Sequence, residues 1–165
     1  MKIAAAALIL SCLIIAPFKA YSAEIGGMAP SFSLKDITGN TVTFESLKGK
    51  VVFLDFWGTW CGPCKEEFPE LDALYKKYGK DGFEVVGISV DKSESNVAEY
   101  LKKRPVSFTI LTNTKGDVAE AYGIPGMPTG FIIGKDGVIR YRHVGFSKAF
   151  LPVYEKEIVE LLKKP

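Results

Sequence analysis

Two cysteines three residues apart, Cys61 and Cys64, are the side chains of this 165-residue chain best suited to chemistry. They lie within Asp55-Phe-Trp-Gly-Thr-Trp-Cys-Gly-Pro-Cys-Lys-Glu-Glu-Phe-Pro69. Thiol–disulfide exchange needs a thiolate to attack and a second thiol at hand to resolve the mixed disulfide. The run Val51 to Phe56 is apolar except for Asp55 and reads as a strand covered on both faces. It leads through Trp57 and a turn, and delivers Cys61 to the first turn of a helix. There, unpaired backbone N–H groups and the helix macrodipole favour a thiolate. Two intervening residues set Cys64 one turn inside, within bonding reach of Cys61 and away from bulk solvent. Cys61 is therefore the expected attacking thiol and Cys64 the resolving one. A disulfide at this spacing closes too small a loop to stabilise a whole domain efficiently, so a purely structural clasp is the weaker reading.

Two carboxylates flank the pair. Asp55, in a run of Val, Phe and Leu, is expected to be buried with its pKa raised by desolvation. The alternative is a strand-end acid reaching solvent. Glu67 lies three residues after Cys64, on roughly the same helix face, where it could handle a proton. Lys65-Glu66-Glu67 also reads as a solvated face. Trp57 and Trp60 are expected to pack beside the cysteines and to form a surface platform. The chain has one histidine, His143, and three cysteines, so a four-ligand Cys/His metal cage would need all of them. Neither metal nor cofactor is expected. His143 sits in a strand pattern without ligand-like neighbours, and Lys65 after Cys64 removes the Cys-x-x-Cys-His signature of haem attachment. With 21 basic and 19 acidic residues, the net charge of +2 gives no basic stripe for nucleic acid. An apolar share of 47% with 24% charged residues excludes a disordered chain.

Residues 1–22 read as a secretory signal peptide: Met1-Lys2, an apolar stretch from Ile3 to Phe18, then Ala20-Tyr21-Ser22 as a small-x-small cleavage site. An uncleaved anchor or a lipoprotein processed at Cys12 are the competing readings, and all three export the domain. Cleavage removes Lys2, Lys19 and Cys12, leaving equal numbers of basic and acidic residues and a single cysteine pair. A domain is expected over 26–165. It should open with a hairpin from Phe32-Ser33-Leu34 and Thr41 to Phe44, then alternate strands and helices. A later hairpin turns at Lys135-Asp136-Gly137, and an amphipathic helix from about Lys148 to Lys163 presents Phe150, Val153, Ile158, Leu161 and Leu162. Ser93 is placed to cap a helix ending before Pro105. This order implies an α/β fold, a three-layer α/β/α domain on a mixed sheet.

Trp60-Cys61-Gly62-Pro63-Cys64 resembles the active-site motif of the thioredoxin superfamily residue for residue. Tyr122-Gly123-Ile124-Pro125-Gly126-Met127-Pro128-Thr129 resembles its second landmark, a loop with a cis proline ahead of a strand. Ala29-Pro30-x-Phe32-x-Leu34, Glu67 and the extra helix-strand unit between Val90 and Leu111 are similar to the exported TlpA/ResA/DsbE-like branch. The resemblance implies a cis Met127–Pro128 bond across from the disulfide, with the Met127 backbone free to pair with an extended substrate strand beside Trp60. It also implies that Asp55 moves the proton of the resolving cysteine, and that Glu67 tunes the cysteine pKa values or shuttles a proton. An aspartate at position 55 departs from that branch, which more often carries an amide there.

The function implied is an exported, periplasmic thiol–disulfide oxidoreductase. Gly62-Pro63 is the dipeptide of reducing thioredoxins, near about −270 mV, whereas strong oxidants lie near about −120 mV. The partners implied are exported proteins with disulfides, apocytochrome c haem-site cysteines among them, and a membrane thiol transporter as electron donor; the protein is expected to be a monomer. Two alternatives compete. A thioredoxin-fold peroxidase would want a threonine three residues before its cysteine, where this chain has Gly58 and carries Thr59 two before. A binding module would use the disulfide only as a clasp.

Overall fold

The computed structural model describes residues 23–164. The expected signal segment and Cys12 lie outside the described residues. Seven strands form one mixed sheet: β1 (Ser33–Asp36), β2 (Thr41–Thr43), β3 (Val51–Trp57), β4 (Phe83–Ser89), β5 (Thr109–Thr112), β6 (Thr129–Ile133) and β7 (Ile139–Val144). Their spatial order is β2-β1-β5-β4-β3-β6-β7. Four helices, α1 (Gly62–Tyr78), α2 (Glu94–Lys103), α3 (Asp117–Ala121) and α4 (Leu151–Leu162), cover the two faces. Among the described residues, no helix is long and apolar enough to cross a membrane.

The layering follows from the connections. β3, β4 and β5 are parallel neighbours joined through α1 and α2. Two right-handed crossovers stepping in the same direction place both helices on the same face. α4 joins them there, where Phe68, Leu71, Tyr100, Tyr154 and Ile158 pack with Val51, Phe53 and Trp57 of β3. The opposite face is covered by α3 and by the segment before β1. There Val118, Tyr122, Phe32 and Phe44 pack with Val52, Leu54 and Phe56. Strand parity makes this division: all seven residues of β3 are buried, even numbers toward one layer and odd numbers toward the other.

The N-terminal hairpin and the helix-strand unit of α2 and β5 form as expected. β5 inserts between β1 and β4, so the hairpin extends the sheet through antiparallel pairing of Lys35 with Thr112. The chain is already part of the fold at Ala23, which is buried, and Gly26 N–H donates to the Ile139 carbonyl at 2.8 Å. The β6–β7 turn uses Gly137 at φ +81°, a conformation that disfavours any side chain. Three local expectations are corrected. Val153 does not join the buried stripe of α4 but is 44% exposed; Tyr154 points inward in its place, with Ile158 and Leu161 as expected. Ser93 stands at the N-terminal boundary of α2, but its hydroxyl contacts the Ser95 hydroxyl at 2.6 Å rather than capping the helix. His143 does have an acidic neighbour: its Nε2 lies 2.7 Å from Glu157 Oε2.

Candidate active site

The site forms where β3 ends and α1 begins, at the carboxyl end of a central parallel strand, the usual location for chemistry in open α/β sheets. Gly58 and Thr59 carry the chain out of β3. Asp91, just beyond β4, holds this turn. Its carboxylate accepts from the Thr59 backbone N–H (2.9 Å), the Thr59 hydroxyl (2.6 Å) and the Ser89 hydroxyl (2.8 Å). Sequence reading did not single out Asp91. The signal available was a lone acid directly after a buried strand, opposite a threonine two residues before the cysteine. The Thr59 hydroxyl, two residues before Cys61, is committed to this carboxylate.

Cys61 is the N-cap residue of α1 and bonds to Cys64, with the sulfurs 2.01 Å and the Cα atoms 5.4 Å apart. Cys61 Sγ also accepts the Cys64 backbone N–H at 3.2 Å. Pro63 occupies the first turn, where its missing N–H removes nothing the helix would use. No acidic residue lies in that first turn, so nothing there opposes negative charge on Cys61. Both cysteines are buried, Cys61 slightly less so at 5% exposed and Cys64 fully.

The other expected site residues gather around this bond. Met127–Pro128 is cis. Thr129 pairs with Phe56, so Pro128, one residue earlier, falls beside the exit of β3. Met127 is partly buried against the cluster that contains both cysteines. Trp60 is 65% exposed, and its ring passes over Gly58, where an added Cβ would lie 3.0 Å from it. Trp57 packs inward against Phe68 and Tyr100, with ring centroids 4.4 and 5.4 Å away.

Asp55 on β3 and Glu67 on the buried face of α1 lie between the disulfide helix and the sheet. Asp55 is fully buried, on the same face of β3 as Phe53 and Trp57, so it does not reach solvent at the strand end. Its neighbours in register are Gly87 on β4 and Gly130 on β6. The rings of Phe53 and Trp57 lean over those glycines: a Cβ at Gly130 would lie 2.6 Å from Phe53, and one at Gly87 3.2 Å from Trp57 Nε1. The aspartate therefore sits in an alcove walled by aromatic rings. Burial, and then the charge of Glu67, push its pKa well above the usual carboxylate range. Glu67 is buried as well, unlike Glu66, so the solvated-face reading does not hold for it. Burial raises its pKa from 4.5 to about 7, against the lowering effect of a hydrogen bond from the Tyr154 hydroxyl to Oε1 at 3.1 Å. Tyr154 is the second residue that sequence reading missed. It lies 87 residues away on α4, and only the Tyr154-Ile158-Leu161 spacing hinted that it points inward.

A Cys-x-x-Cys disulfide capping a helix at the end of a central strand, beside a cis proline, is the arrangement of a thioredoxin-fold thiol–disulfide oxidoreductase. Known proteins agree. The chain is 38% identical over 116 residues to thiol-disulfide oxidoreductase ResA of Bacillus thuringiensis subsp. konkukian, covering 70% of this chain and 67% of that one. It is 35% identical over 136 residues to ResA of Bacillus anthracis, covering 82% and 79%. A crystal structure assigned as the thiol:disulfide interchange protein DsbE of Chlorobium tepidum superposes with a TM-score of 0.83 at 38% identity, over 86% of this chain and 99% of that one. Residues 25–142 match the AhpC/TSA family, and the chain belongs to that family. It is an enzyme of the thiol–disulfide oxidoreductase class, similar to ResA and DsbE.

Proposed function

We propose that the protein is an exported reductase of protein disulfides. The observation that carries this reading is the asymmetry of the cysteine pair: Cys61 caps the helix and keeps slight exposure, while Cys64 lies fully buried one turn inside. The reduced Cys61 would ionise against the N-terminal N–H groups of α1 and attack a client disulfide. The client strand would lie along Met127 and cis Pro128, against the exposed Trp60. Cys64 would then resolve the mixed disulfide, giving its proton to the buried carboxyl pair of Asp55 and Glu67. The Gly62-Pro63 dipeptide favours the reducing direction. Apocytochrome c haem-site cysteines are the proposed clients and a membrane thiol transporter the electron source. The site of action is extracytoplasmic, after removal of residues 1–22, and the working unit is a monomer.

The test is insulin reduction together with trapping. Wild type turns over, Cys61→Ser does not, and Cys64→Ala accumulates mixed disulfides through Cys61 with exported proteins. A reduction potential above about −150 mV would overturn the reductase assignment. The absence of any Cys61 adduct would overturn the exchange mechanism.

A further inference from the structure

The two buried carboxyl groups differ in what they touch. Glu67 Oε1 accepts the Tyr154 hydroxyl at 3.1 Å, whereas Glu67 Oε2 and both oxygens of Asp55 have no hydrogen-bond partner among the described residues. Neither carboxyl group pairs with a lysine or arginine among those residues. Tyr154 of α4 faces both carboxyl groups, Glu157 of α4 and His143 of β7 lie next to that tyrosine, and Cys64 precedes Glu67 by three residues on α1. His143 is occupied by Glu157 at 2.7 Å. The tyrosine is held in place independently of its hydroxyl: its ring packs on Phe53 at 5.1 Å and on His143 at 4.7 Å. A donated hydrogen bond favours a carboxylate over its acid, while a buried carboxyl group without a donor favours the acid.

We propose that Tyr154 is a positioning residue that decides where the proton of this buried pair resides: it holds Glu67 as the carboxylate and leaves Asp55 as the neutral acid. The inference rests on the exchange reaction proposed above and names the proton acceptor within it. Cys64 passes its thiol proton to Glu67. The Cys64 thiolate attacks the Cys61 sulfur of the mixed disulfide, the Cys61–Cys64 bond forms and the Cys61–client bond breaks. The client sulfur leaves as a thiolate and takes a proton from solvent, and Glu67 later returns its own. Two electrons pass from the dithiol to the client. A neutral Asp55 keeps a second buried negative charge away from the Cys64 thiolate, which would otherwise disfavour its formation.

The experiment is a pH titration of the oxidised full chain, with carboxyl carbons of Asp and Glu labelled and followed by NMR. In the wild type, the Glu67 carbon is expected to titrate first, near neutrality, and Asp55 at higher pH. Tyr154→Phe keeps the ring and removes the donor, so the Glu67 midpoint should rise by about one pH unit or more. Ionisation of Asp55 before Glu67, or a Glu67 midpoint unmoved by Tyr154→Phe, would overturn the inference. Should that variant not fold, the wild-type order alone decides. Insulin reduction by the same wild-type sample separates the two readings: turnover with the reversed order removes only this inference, and no turnover with the expected order removes only the exchange reaction.

Discussion

Replacing Glu67 by glutamine should change how stability depends on pH more than it changes stability at any one pH. Glu67 is 1% exposed, and its pKa rises from 4.5 to about 7, chiefly through burial. A carboxyl group whose pKa is higher in the folded state binds more protons folded than unfolded between those two values. Stability therefore falls as pH climbs through that window, being greatest below about 4.5 and lowest above about 7. At about 1.4 kcal/mol per pH unit, the shift corresponds to roughly 3 kcal/mol lost between the two limits. Glutamine keeps the shape, can still accept from Tyr154, and carries no charge. Removing the charge of Glu67 also relieves Asp55, whose raised pKa owes its second contribution to that charge. The assay is urea unfolding of the disulfide form at pH 5 and pH 8. Asp55, raised chiefly by burial in both proteins, also costs stability across this interval, so Glu67 is read from the difference: wild type should lose about 2–3 kcal/mol more than Glu67→Gln. The surface carboxylates with lowered pKa, such as Asp117 and Glu155, act below this window and leave it undisturbed. Equal losses in the two proteins, or a wild type as stable at pH 8 as at pH 5, would refute the placement of a desolvated, ionisable Glu67 on the inward face of α1.

Asp91→Ala removes the acceptor of three hydrogen bonds at the turn before Cys61 and leaves buried donors unpaired, which should cost about 1–3 kcal/mol in urea unfolding and slow insulin reduction by loosening Thr59. Gly130→Ala would set a methyl group 2.6 Å from the Phe53 ring, which is itself buried against Tyr154, so a loss of about 1–3 kcal/mol is expected. Gly62→Ala, whose new methyl meets nothing within 4 Å, should be as stable as wild type or slightly more so by the same measurement. Trp60→Ala should shift stability by less than about 0.5 kcal/mol, because the ring is 65% exposed, while raising the client concentration needed for half-maximal reduction.

Features set by neighbouring residues were legible in the sequence. The strand-turn-helix that presents Cys61, the glycine turn of the last hairpin and the helix-strand unit of α2 and β5 all depend on local pattern and spacing, and the structure has each of them. The cis bond at Pro128 was legible only through resemblance, since a single X-Pro pair does not declare its isomer. What escaped was set by contacts between distant elements. Asp55 could be read as buried because its neighbours are apolar. Nothing local shows that glycines face it from both adjacent strands, or that the rings of Phe53 and Trp57 close over them. Glu67 could be read as buried or solvated with equal ease from Lys65-Glu66-Glu67. Its fate depends on where α4 lies, and the stripe of α4, read rightly at Ile158 and Leu161, included the exposed Val153 and omitted the buried Tyr154.

That one-position error bears on the chemistry. A helix stripe read through Val153 predicts an apolar lid over the sheet, with both carboxyl groups facing hydrocarbon and no donor between them. Two such groups would differ only in depth of burial, and nothing would assign the proton to either. With Tyr154 inward beside Ile158 and Leu161, the helix instead supplies one hydroxyl to one oxygen of one carboxyl group. A single hydrogen bond to a charged group is commonly worth about 1.5–3 kcal/mol, a tenfold or larger bias between two otherwise similar acids. The cysteines define the reaction class, and the motif that carries them is local. The partition of the proton beneath them depends on a tyrosine that no motif includes. Chains of this fold with the same Cys-Gly-Pro-Cys but no hydroxyl at the position of Tyr154 should therefore differ from this one in the pH dependence of exchange more than in whether they exchange at all.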